Sequence, residues 1–185
     1  MTDTPAQQPS STPTVVERPE QPYVGIRSYV TMETIADIAD RMPELFAWLG
    51  ARGITPVGAP FFRYHVIDME RRLDVSVGVP VAAPPPGPAT GPGPEGDVAA
   101  GVLPGGRYAT VAHTGHPDDL LQVTADLLAW ADERGLSWDA RDTPEGEAWG
   151  CRLEEYLTDP AEQPDMSRWD MVLAFRLADR SPGTP

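Results

Sequence analysis

Apolar residues recur three or four positions apart at Ile35, Ile38, Met42, Leu45 and Leu49, the spacing of one helix face. Pro43 falls inside that run. Either the helix kinks there, or two short helices meet and Pro43 takes the first turn of the second. Gly53 supplies the stop. Ahead of this run, "YVGIRSYV" suits a strand. Behind it, "FFRYHVID" and "RLDVSVGVPV" alternate as paired strands around a turn at Glu70 and Arg71. The order then repeats. "GRYATVAHT" reads as a strand, and "HPDDLLQVTADLLAWADERG" as the clearest helix. That helix has Pro117 in its first turn, Asp118 and Asp119 at the positive end of its dipole, and Gly135 after its last residue. "WGCRLEEYL" and "RWDMVLAFRL" close the second set as strands. The two helix ends, "LFAWLGARGI" and "LLAWADERGL", share Leu, Ala, Trp, Arg and Gly at matching places.

This pattern predicts an α+β fold made of two strand–helix–strand–strand units. Their six strands would form one antiparallel sheet with the two main helices on one face, related by a pseudo-twofold axis, and a cleft would remain where the halves meet. The boundaries follow composition. Residues 1–22 are rich in Pro, Ser, Thr and Gln and read as a disordered tail. A single domain is expected over 23–178, with half-repeats at 23–82 and 105–178. A Pro/Gly-rich linker at 83–104 joins them, and 179–185 is a frayed end. Trp48 and Trp130 read as packing elements of the two halves.

Composition narrows the chemistry. The 185 residues carry a formal charge of −14, and the 14 basic residues are all Arg. The charge disfavours a nucleic acid partner. The lack of Lys removes Schiff-base chemistry and a P-loop. A single cysteine, Cys151, excludes an internal disulfide. The N-terminus lacks the basic start and apolar run of a signal peptide, and no stretch approaches the roughly 20 apolar residues of a membrane span. The expected setting is cytoplasmic, with no membrane partner and an oligomeric state of monomer or dimer left open.

No metal spacing joins His65, His113 and His116, so neither metal nor cofactor is expected. The pair Glu154–Glu155 is the chemical candidate. In a strand, Arg152, Glu154 and Tyr156 share one face and Leu153, Glu155 and Leu157 the other. If the leucines pack beneath the helices, Glu155 is the buried acid. If the other face lines the cleft, Glu154 is the one that matters. A carboxylate in an aromatic cleft attracts organic cations, and burial raises its pKa into the range of a general acid or base. The aromatics at hand are Phe61, Phe62, Tyr64, Tyr108, Trp149, Tyr156 and Trp169.

Taken in order, "ELFAWLGARGITPVGAPFFRYHVID", "LPGGRYATVAHTG", "LLAWADERG" and "EEYLTDP" resemble the GyrI-like, or effector-binding, family of small-molecule-binding domains over roughly Tyr23 to Leu177. The resemblance implies two related half-domains around a ligand cleft. It also implies a ligand class of lipophilic cations, or hydrolysis of cyclopropane-bearing natural products as in some stand-alone members. The acid of the family's Glu-x-Tyr pattern falls on Glu154, and a family aromatic falls on Tyr64. Two departures stand out. Gly115-His116-Pro117 replaces a Gly-Pro-Tyr, and Trp169-Asp170-Met171-Val172 replaces a Trp-x-Thr-Glu, which removes a second carboxylate and implies a more apolar pocket.

Three functions are compatible with these residues. The first is a stand-alone binder of hydrophobic cations, for sequestration or sensing, through Glu154, Tyr156, Tyr64, Phe62, Tyr108, Trp149 and Trp169. The second is a small-molecule hydrolase that uses Glu154 as its acid or base. The third is an acidic protein-interaction module.

Overall fold

Strand-forming alternation dictates most of the chain. The computed structural model describes residues 11–85 and 97–179. Its strands are β1 (Thr14–Arg18), β2 (Gln21–Val30), β3 (Phe61–Asp68), β4 (Arg72–Pro80), β5 (Val98–Leu103), β6 (Gly106–Gly115), β7 (Ala140–Thr143), β8 (Gly146–Trp149), β9 (Arg152–Tyr156) and β10 (Trp169–Arg176). The helices are α1 (Ile35–Ala39), α2 (Met42–Ala51) and α3 (Leu120–Asp132). The sheet runs β1-β6-β10-β9-β3-β4-β2-β5, with the β7–β8 hairpin attached to β3. From the central β9–β3 pair outward, each half reads second strand, third strand, first strand of its expected unit. The duplicated order seen in the sequence thus survives in the topology.

The apolar stripes decide which face is covered. Leu45 and Leu49 of α2, with Ile38 of α1, bury against Val24, Ile26, Val75, Val77 and Val79. Leu120, Val123 and Leu127 of α3 bury against Ala109, Val111, Leu173 and Phe175. A third cluster lies on the opposite face, where Tyr23, Phe61 and Leu103 meet Tyr108, Leu153 and Ala174 across the centre of the sheet.

Pro43 occupies the first turn of α2, so the run around it is two helices and not one kinked helix. The repeated helix ends have one cause. Gly53 and Gly135 take φ of 63° and 62°. In each, the next residue's N–H closes onto the carbonyl of the last apolar turn, Ile54 to Leu49 and Leu136 to Ala131, both at 3.0 Å. This is the Schellman closure that a left-handed residue permits. The Arg before each Gly lies over the Trp four residues earlier, Arg52 at 4.0 Å from the Trp48 ring centroid and Arg134 at 4.5 Å from that of Trp130.

Three expectations are corrected. Thr14–Arg18 of the expected tail is a strand, paired along β6 from Thr14–Thr110 to Arg18–Gly106, with Val16 packed on the lower cluster. Its anchors are backbone hydrogen bonds, one valine and the Arg18–Glu155 ion pair, which composition underweights. Val98–Leu103 of the expected linker pairs with β2 and buries Val98 and Leu103. The sheet therefore has ten strands, not six. The expected strand "WGCRLEEYL" breaks at Gly150 and Cys151, which separate β8 from β9. The rest of the tail (1–10), the core of the linker (86–96) and residues 180–185 lie outside the described residues. Asp179 is anchored to Arg176 at 2.9 Å.

Candidate functional site

The central pair sets the floor of a cleft. Phe62 of β3 stands opposite Glu154 of β9 in register, so both side chains rise on the helix-bearing face between the two apolar cores. A cavity of about 840 Å³ opens there. Phe62, Tyr64, Glu154, Tyr156 and Trp169 line it from the sheet, while Ile35, Asp40, Met42 and Phe46 line it from α1 and α2. The loop after β9 adds Leu157, Asp159 and Met166.

The aromatic rings form a connected wall. Phe62 and Tyr156 have centroids 5.6 Å apart, and Tyr156 meets Trp169 edge-on at 6.4 Å. The Trp169 indole N–H donates to the Gln163 carbonyl at 2.8 Å, which ties the loop to the wall. The Tyr156 hydroxyl donates to Glu154 Oε2 at 3.3 Å, and the Tyr64 hydroxyl is a second hydrogen-bond partner of that carboxyl. Burial raises the Glu154 pKa above the ordinary carboxylate value. The Tyr64 bond, the Arg152 charge and the Tyr156 bond all oppose this, and burial wins. Tyr64 and Tyr156 are themselves pushed upward by burial and then by the Glu154 charge, so both keep their protons and remain donors. Glu154 itself has intermediate exposure.

Face alternation separates the two glutamates. Glu155 points to the opposite face, where Arg18 donates two bonds to it at 2.7 and 3.0 Å. Of the candidate residues, Glu154, Tyr156, Tyr64, Phe62 and Trp169 meet in the cleft, and two do not. Tyr108 lies on the lower face, donating to the Pro104 carbonyl at 2.6 Å beside Arg18. Trp149 packs in the core beneath α3 against Trp138 and Phe175, at 5.6 Å from each, with its indole N–H on Glu147. Sequence reasoning missed Phe46, which lies off the core stripe and is 40% exposed. An aromatic on the polar side of an amphipathic helix was the available signal. Asp40 and Asp159 join Glu154 on the wall, and among the described residues neither Arg nor His lines the cavity. Pro117 also lies on the wall.

Among the described residues, no group of three or more His, Cys, Asp and Glu side chains is placed to hold a metal ion, and no helix is long and apolar enough to cross a membrane.

Comparison with known proteins fits this geometry. Residues 11–171 match the model of the GyrI-like small molecule binding domain. The chain belongs to that family. Solved structures share the GyrI-like fold. The C-terminal domain of EcmrR is 19% identical, with a TM-score of 0.68 over 91% of this chain and 98% of that one. Against EcmrR in its DNA complex the identity is 20% and the TM-score again 0.68, over 91% of this chain, but this chain spans only 58% of that one. SAV2435 bound to tetraphenylphosphonium is 8% identical, with a TM-score of 0.59 over 91% of this chain and 94% of that one. A hydrolase from Listeria innocua is 14% identical, with a TM-score of 0.57 over 90% and 91%. No curated protein sequence matches the chain.

Proposed function

We propose that this GyrI-like domain binds hydrophobic organic cations in the central cleft, for sensing or sequestration, with Glu154 as their counter-charge. One observation carries the reading. A single shielded carboxylate, oriented by two tyrosine hydroxyls, sits at the floor of an aromatic cavity whose walls bear two further carboxylates and no base. Ring faces favour a cation, and a carboxylate in such a site attracts it more strongly than one in water. A cavity of this size suits a ligand of several fused or clustered rings. The tetraphenylphosphonium held by SAV2435 is a ligand of that chemistry on a protein of similar fold.

Fluorescence anisotropy of rhodamine 6G titrated with wild type and Glu154→Gln tests the reading. Glu154→Gln is expected to lose about 10- to 100-fold in affinity, the equivalent of roughly 1.5–3 kcal/mol for one charged contact. Wild-type binding is expected to weaken as pH falls through the raised Glu154 titration. Binding indifferent to both changes overturns it.

A second reading rests on the same carboxyl. A raised pKa suits Glu154 to donate a proton to a strained ring and then to activate water, the task of a small-molecule hydrolase. Mass spectrometry of cyclopropane-bearing natural products incubated with both proteins separates the two readings. Turnover that disappears in Glu154→Gln supports the hydrolase.

A further inference from the structure

Arg152 precedes Glu154 by two residues on β9 and shares its face of the strand. It does not line the cleft. Its guanidinium lies behind the floor, 4.5 Å from the ring centroid of Phe175, 5.0 Å from that of Trp149 and 5.8 Å from that of Tyr64. Its Nε is buried without a hydrogen-bond partner. Among the described residues, no carboxylate lies within ion-pairing distance of it. A buried guanidinium is costly unless something answers its charge, and three ring faces answer it only in part. Tyr64 completes the arrangement: its ring lies beside Arg152, and its hydroxyl bonds Glu154.

We propose that Arg152 is the resident counter-cation of Glu154, a positioning residue that favours the ionised form of the carboxylate and competes with an incoming cation for its charge. The first half of this statement concerns the unliganded protein. The second rests on the cation-binding reading above. The other groups around Glu154 are few. Tyr64 faces it from β3 and Tyr156 from its own strand, while β10 presents only Leu173 opposite it. Asp40 and Asp159 share the cavity from α1–α2 and from the loop after β9. Glu147 of β8 acts on the Arg152 side. Arg152 is thus the one cation of this set. Without it, ionised Glu154 would lack its neighbouring positive charge. Protonation would become easier, and a ligand cation would meet no internal competitor.

The test has a ligand-free arm and a ligand arm. In protein labelled with ¹³C at the glutamate carboxyls, NMR titration gives the Glu154 midpoint directly. Arg152→Met is expected to raise that midpoint by about one pH unit. Arg152→Lys, which restores the charge, should return it toward wild type. Arg152→Gln serves as the neutral variant should Arg152→Met not fold. In the wild type itself, the Arg152 Nε–H resonance should move with the Glu154 midpoint. Above the Glu154 midpoint measured for each form, the neutral variants are expected to bind rhodamine 6G several-fold more tightly. A structural lesion would weaken binding at every pH instead. An unmoved Glu154 midpoint together with an indifferent Arg152 resonance overturns the proposal. If the wild type does not bind the dye at all, the cation reading fails, along with competition, while the ligand-free arm still decides whether Arg152 is the counter-cation.

Discussion

Two adjacent glutamates in one strand have unrelated roles, and the pleat alone separates them. Glu154 enters the cleft, whereas Glu155 is clamped by Arg18 on the far face. Strand periodicity announces that the two must diverge. It does not say which face of the sheet will be hollow, because that depends on where α2 and α3 leave a gap. Tyr108 and Trp149 show the same limit. Both sit on or beside the predicted strands, yet one ends on the lower face and the other under α3. His65 is half-buried, with its Nε2 2.7 Å from the Ser76 hydroxyl. Burial and then the charges of Arg63 and Arg27 push its pKa down to about 4, against a weaker pull from Asp74. The folded protein therefore binds fewer protons here than the unfolded chain. The stability this neutral ring contributes is complete above pH 6.5 and is lost as pH falls toward 4. Thermal melts should show the wild type losing more between pH 7 and pH 5 than His65→Gln does. Equal losses would mean that the ring titrates like a free histidine.

At the scale of elements, the amphipathic helices were the most legible part, because α2 and α3 carry their apolar stripes and glycine stops in full view. The repeated Trp–Arg–Gly ending proves to be one device used twice. A left-handed glycine closes the helix, and the preceding arginine lies over the tryptophan. At both glycines a Cβ would meet nothing within 4 Å, so substitution strains the backbone without a clash. Gly53→Ala and Gly135→Ala are each expected to cost about 1 kcal/mol in urea denaturation. A change near zero at either would show that its closure contributes nothing. The missed elements share a different character. β1, β5 and the β7–β8 hairpin are short and lie among Pro, Gly, Thr or Asp, and their pairing to a neighbouring strand cannot be seen in their own composition.

For the whole molecule, function follows from where the sheet is left uncovered. Each half buries its own apolar face beneath its own helices, and the third cluster joins the halves from below. The upper centre remains open over β3 and β9, and the Glu154 carboxylate faces it there. The five tryptophans provide a map of this arrangement. Trp169 is on the cleft wall, Trp138 and Trp149 pack together away from it, and Trp48 and Trp130 lie at the ends of the helices. Indole N–H resonances followed by ¹H–¹⁵N NMR during a tetraphenylphosphonium titration therefore locate the ligand directly. The account predicts a saturable shift at Trp169, with Trp138 and Trp149 little moved and the response diminished in Glu154→Gln. A ligand that binds while Trp169 stays still, or that shifts Trp149 first, would contradict it.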